Sequence, residues 1–139
     1  MVWGALEDAL KRGDARAIGV SNFDASDLAM LVKVAKEPIS VNEAHFAVGM
    51  MDFETISFAK ANNIQLISFS SLSAAVPENH PVITAVASRH NVSTAVIMLK
   101  YVSAHGIAVL SAMSKLAYGV EVGEGRINAH PMKPRNPNL

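Results

Sequence analysis

The feature that most constrains this chain is a rhythm: short apolar runs alternate with longer stretches patterned for helices. Trp3, Leu6 and Leu10 recur at spacings of three and four, which stacks them on one helical face. Gly13 suits the left-handed position that closes such a helix. Residues 16–20 (RAIGV) then read as a first strand. Asp24 can cap a second helix, in which Leu28, Leu31, Val32 and Ala35 form the apolar stripe and Pro38 marks the end. The cycle repeats. Residues 41–46 (VNEAHF) read as a second strand, and Asp52 caps a helix to about Asn62, with Phe53, Ile56 and Ala59 inward. Residues 64–70 (IQLISFS) read as a third strand. Pro81 fits the first position of a short helix over 81–90, beside His80 as its cap. Ser93 caps another helix whose Val96, Ile97, Met98, Leu99, Tyr101 and Val102 leave little polar face, so burial is expected. Gly106 closes it, and residues 107–110 (IAVL) read as a fourth strand. Alternation of this kind predicts an α/β fold of four parallel strands with crossover helices. The continuous apolar runs predict strands covered on both faces. Beyond Ser114 the apolar period stops and Gly, Pro and Asn are frequent. Residues 115–139 are therefore expected to be a disordered tail behind a domain of residues 1–114.

Composition narrows the chemistry. In 139 residues, 12 Lys+Arg balance 12 Asp+Glu, which argues against nucleic-acid binding. There is no cysteine, so disulfides, thiolate nucleophiles and Cys-ligated zinc are excluded. Apolar runs fall short of the roughly 18 residues a membrane span needs. The N-terminal residues lack a basic segment followed by an apolar one. The expectation is a cytoplasmic protein with no membrane partner.

Ligands of parallel α/β folds bind beyond the C-terminal ends of the strands. Those ends carry Ser21 and Asn22, then Asn42, Glu43 and His45, then Ser68, Phe69, Ser70 and Ser71, and finally Ser111 and Ser114. Such a set could hold an amide-bearing ligand, with Phe69 offering a flat face. From spacing alone, the reading that these are the polar groups that turns require is preferred. His45 is read as a structural histidine with its hydrogen bonds satisfied, in preference to an acid–base group.

Four segments add a resemblance. W-x-A-L-x-x-A-L-x-x-G at 3–13 followed by RAIGVSNF at 16–23, VNEAHF at 41–46, ISFSSL at 67–72, and STAVIMLKYVSAHGIAVLSA at 93–112 together resemble the aldo-keto reductase family in order and spacing. That resemblance implies the C-terminal half of a (β/α)8 TIM barrel, strands five to eight. It also implies reduction of aldehydes or ketones by hydride transfer from NADP(H). Carried over by position, Ser21 and Asn22 would bond the nicotinamide carboxamide. Glu43 stands where the family usually has Gln, and Phe69 where it usually has a stacking Tyr. Ser70 and Leu72 would lie along the pyrophosphate. Ser71 replaces a Pro, which predicts a less rigid loop.

After the fourth strand, Ser111, Ala112, Met113, Ser114 and Lys115 depart from the family's phosphate-binding pattern, and neither Lys115 nor Arg126 is in its register. The family's catalytic Asp, Tyr, Lys and His belong to the first half of the barrel. No catalytic residue is assigned here, and the chain alone is expected to be inactive unless a complementary half supplies the proton donor for a small carbonyl substrate. Two alternatives stand beside this reading. One is a non-catalytic regulatory or binding protein, since FAKANNIQLIS at 58–68 is similar to the glutamate–cysteine ligase regulatory subunit. The other is self-association through open barrel edges.

Overall fold

The computed structural model describes residues 2–110. The expected tail at 115–139, together with Ser111, Ser114, Lys115 and Arg126, lies outside the described residues. The elements are α1 (Val2–Arg12), β1 (Gly19–Ser21), α2 (Ala25–Val34), β2 (Val41–His45), α3 (Phe53–Ala61), β3 (Gln65–Phe69), α4 (Pro81–His90), α5 (Thr94–Ser103) and β4 (Ala108–Val109). The four strands form one sheet in the order β1-β2-β3-β4, and every pairing is parallel. Each crossover thus steps to the next strand in the same direction, as in a barrel wall. A doubly wound sheet would reverse at a switch point. Among the described residues, no single helix is long and apolar enough to cross a membrane.

Local chemistry sets the helix ends. Asp24 caps α2 by accepting from the backbone N–H of Ser26 and Asp27, and the Asp27 side chain reaches back to the Asp24 N–H. Asp52 caps α3 through the N–H of Glu54 and Thr55, and its other oxygen takes the Thr55 hydroxyl at 2.6 Å. These bonds hold both carboxyls below their ordinary range, the Asp27 N–H contributing most at Asp24 and the Thr55 hydroxyl most at Asp52. The His80 ring nitrogen accepts from Val82 N–H, and Pro81 occupies the first turn of α4, as its missing N–H allows.

Parallel register places Ser21, Glu43, Ile67 and Ala108 side by side on one face, and pairs His45 with Phe69 on that same face. The alternate positions face the helices. There Leu66 joins Trp3, Ile18, Leu28, Phe46, Ala59 and Val102 in the core, with Val20, Ala44 and Val109 packed against it. Burial consequently alternates along β3, and in β2 Asn42 is the buried residue. This corrects the expectation of strands covered on both faces: here the helix-facing side is the packed one. β1 also runs from Gly19 to Ser21 and not over 16–20, because pairing with β2 begins at Gly19↔Val41. On the helices, Val32 is 40% exposed and Phe53 54% exposed, so neither belongs to the inward stripe. Tyr101 is likewise on the open side of an otherwise buried α5.

Three packing features carry specificity. Gly19 is required by close approach, since a Cβ there would overlap both the Val41 side chain and its carbonyl. Two buried polar side chains pin the loops. Asn42 accepts from the Phe23 N–H at 3.3 Å and donates to the Phe23 carbonyl at 2.8 Å. Ser68 accepts from the Phe46 N–H at 3.2 Å and donates to the Phe46 carbonyl at 2.7 Å. Third, the Glu7 carboxylate is buried on α1, where it accepts from the Trp3 indole at 2.8 Å and from the N–H of Lys36 and Glu37 at 2.7 and 3.0 Å. It ties α1 to the segment after α2.

These contacts have measurable consequences. Gly19→Ala should destabilise the chain by about 1–3 kcal/mol through overpacking, read by urea unfolding. Ser68→Ala should cost about 1–3 kcal/mol, because it strands the Phe46 backbone groups in the interior; unchanged stability would contradict the pinning role. The Glu37 N–H, foremost among its partners, holds the Glu7 carboxyl below its ordinary value of 4.5. Its stabilising effect is therefore complete above that value and is lost as pH falls through the lower, folded-state value. Glu7→Gln should lower the melting temperature at pH 7 and flatten its decline under acid, seen in thermal melts from pH 7 to 3.

Candidate active site

All strands point the same way, so their C-terminal ends gather the candidate groups on one rim. At the end of β1, the Ser21 hydroxyl donates to the Glu43 carbonyl at 2.9 Å, and the Asn22 backbone N–H donates to the same oxygen at 2.9 Å. One carbonyl thereby fixes both residues beside Glu43. Asn22 has φ 58°, a left-handed conformation that Asn tolerates better than most residues. Its Nδ2 donates to the Ser21 hydroxyl at 3.2 Å. Among the described residues no partner takes the second Nδ2 hydrogen or Oδ1. A side-chain amide presenting one N–H and one C=O complements a carboxamide, which offers the same pair in reverse. Glu43, in register with Ser21, carries a carboxylate on the same strand face.

Phe69 ends β3 on that face. His45 stacks on it with ring centroids 5.9 Å apart and planes 19° from parallel. Ser70 follows with φ 54°, and its carbonyl accepts from the Ser73 N–H at 2.8 Å, which turns the chain. Leu72 is 37% exposed beyond that turn. The structure thus brings Ser21, Asn22 and Glu43 into one hydrogen-bonded group. Phe69 lies on the same face, and Ser70 and Leu72 follow from its end.

Several readings of the strand ends change. Asn42 and Ser68 do not join the rim. They point to the opposite, helix-facing side, where both are fully buried and spent on backbone groups. Ser71 does not loosen its loop, since it is buried and shares a 2.6 Å hydrogen bond with the Ser68 hydroxyl. His45 is not satisfied either: its Nε2 is buried with no hydrogen-bond partner among the described residues. The strand period, read strictly, would have separated Asn42 from Glu43 and Ser68 from Phe69. A cavity of about 910 Å³ lies at the other end of the sheet, lined by residues such as Lys60, Gln65, His105 and Gly106. None of the rim residues lines it, so its size does not make it the site.

Known proteins share this fold. The aldo/keto reductase family profile matches residues 1–121. Glyoxal reductase of Bacillus subtilis (strain 168) is 35% identical over 108 residues, covering 78% of this chain and 39% of that protein. An aldo-keto reductase from a Medee basin deep-sea metagenome library superposes with a TM-score of 0.72 at 27% identity, over 78% of this chain and 41% of that one. A Bombyx mori aldo-keto reductase in complex with NADP gives a TM-score of 0.70 at 24% identity, over 78% and 39%, a likeness of fold. The chain spans about two-fifths of the length of these relatives. A parallel sheet in sequential order, packed on its helix-facing side and matched by one family over most of its length, gives a single answer: the chain belongs to the aldo/keto reductase family, and its four strands are part of that family's (β/α)8 barrel.

Proposed function

We propose that the rim formed by Ser21, Asn22, Glu43 and Phe69 holds the nicotinamide end of NADP(H) within an enzyme that reduces aldehydes or ketones. The carrying observation is the shared Glu43 carbonyl, which locks Ser21 and Asn22 beside Glu43 and leaves one edge of the Asn22 amide unused. The residues fit the group. Asn22 would donate from Nδ2 to the carboxamide oxygen and accept at Oδ1 from its NH2. Glu43 would accept from the same NH2. Phe69 would offer its ring face, which needs no hydroxyl to stack. Ser70 and Leu72 would border the pyrophosphate. When bound, the dinucleotide supplies the hydride.

Similarity to glyoxal reductase supports a reduction, and similarity to a probable NAD(P)H-dependent D-xylose reductase of Emericella nidulans, 30% identical over 123 residues, supports a nicotinamide dinucleotide as the hydride source. Reduction also needs a proton donor close to the developing alkoxide. We assign none among these residues, so in this reading a small carbonyl substrate is turned over only when further strand–helix units supply that donor. Glu43 in place of a neutral amide sets a negative charge beside a ring that becomes cationic on oxidation. It therefore favours the oxidised cofactor relative to Gln.

The test is a titration of NADPH into the chain, followed by its fluorescence. Saturable enhancement is expected, and Asn22→Ala should weaken it by about tenfold, the worth of one good polar contact. Ser103→Ala, beside the cavity at the opposite end of the sheet, should leave it unchanged. An Asn22→Ala variant that binds as tightly as the parent would overturn the carboxamide assignment. Glu43→Gln should shift preference from NADP+ towards NADPH, measured as the ratio of the two affinities.

A further inference from the structure

We propose that His45 Nε2 is a further contact for the nicotinamide half of the dinucleotide, an inference that rests on the function proposed above. Three observations lead there. His45 closes β2 in register with Phe69 and two positions beyond Glu43, so its side chain belongs to the inner face of the rim. Its ring lies on Phe69, 5.9 Å between centroids and 19° from parallel. Its Nε2 is shielded from solvent and has no hydrogen-bond partner among the described residues.

Buried polar atoms are nearly always paired, because an unpaired one forfeits its hydration without return. A phenyl ring in the same place would keep the stack and avoid that cost. The imidazole thus carries a polar atom that the folded chain does not use, beside the ring assigned to stack on nicotinamide. No hydrogen bond holds the imidazole, so stacking on Phe69 is what fixes its plane. A rotation about its side-chain bonds, at the expense of that stack, would aim Nε2 towards a ligand seated at that ring. The polar groups that the nicotinamide half could offer it are its carboxamide and its ribose hydroxyls. Either supplies the partner that Nε2 lacks.

The inference separates stability from affinity. His45→Phe keeps the stack and removes the orphaned nitrogen. It should raise the melting temperature of the ligand-free chain by several degrees while weakening NADPH binding by about tenfold. His45→Gln restores a polar atom at similar reach and should bind NADPH more tightly than His45→Phe does. In the wild-type chain, the His45 imidazole nitrogens should shift in 15N NMR on addition of reduced nicotinamide mononucleotide. They should stay put on addition of 2′,5′-ADP, which carries only the adenosine half. Nitrogen shifts unmoved by the mononucleotide, or His45→Phe binding NADPH at wild-type affinity while Asn22→Ala loses it, would overturn the role of His45 and leave the proposed function intact. No saturable NADPH signal from the wild-type chain would overturn both.

Discussion

Two side chains buried between sheet and helices govern where everything on the rim sits. Asn42 and Ser68 each engage both the N–H and the carbonyl of a phenylalanine in the loop after the preceding strand. A loop leaving a strand must satisfy its backbone groups where water is excluded. In this sheet the next strand does it, twice, from equivalent faces. Phe23 is held behind Ser21 and Asn22, and Phe46 behind His45. The functional rim is therefore built on pinned loops, and the pins lie on the face opposite to the rim itself.

This division of labour follows from the strand period. Successive residues point to opposite faces, so each strand end offers one side chain to the interior and the next to the site. Asn42 locks and Glu43 presents; Ser68 locks and Phe69 presents. Ser71 adds to the lock through its bond to Ser68, which gives the loop after β3 an anchor where a proline would otherwise have stiffened it. The left-handed conformations of Asn22 and Ser70, each directly after a strand, turn the chain at the rim. The polar residues of these segments thus serve two purposes at once. Turn chemistry and a ligand-binding rim are not competing explanations for them; they fall to alternate positions.

The chain's relation to its relatives gives the site a context. It spans about two-fifths of their length, and within that span the sheet order and the packed face are in place, with Ser21, Asn22, Glu43 and Phe69 at the strand ends. What hydride transfer to a carbonyl further requires, a proton donor near the alkoxide, has no assigned source on this rim. Binding of the dinucleotide and turnover of a carbonyl are thus physically separable properties here. Under the proposed function, the first would depend on β1 to β3, and the second on groups brought up to the same cofactor from elsewhere.

By itself, the sequence determined the elements and their type. Asp24, Asp52, Ser93 and His80 cap helices, and Gly13 and Gly106 end them, because these are local requirements met by single residues. Strand–helix alternation likewise implied a parallel sheet. The tertiary structure decided which residues share a face. That Asn42 and Ser68 would be consumed by the core, that Glu7 would be buried as an anchor between α1 and the segment after α2, and that Gly19 would be needed under Val41 all depend on register between strands far apart in the chain. It also left Phe53, Val32 and Tyr101 exposed and the His45 nitrogen unpaired. Helical periodicity reports that a side is apolar, but the partner that covers it, or fails to, is set only when non-local elements meet.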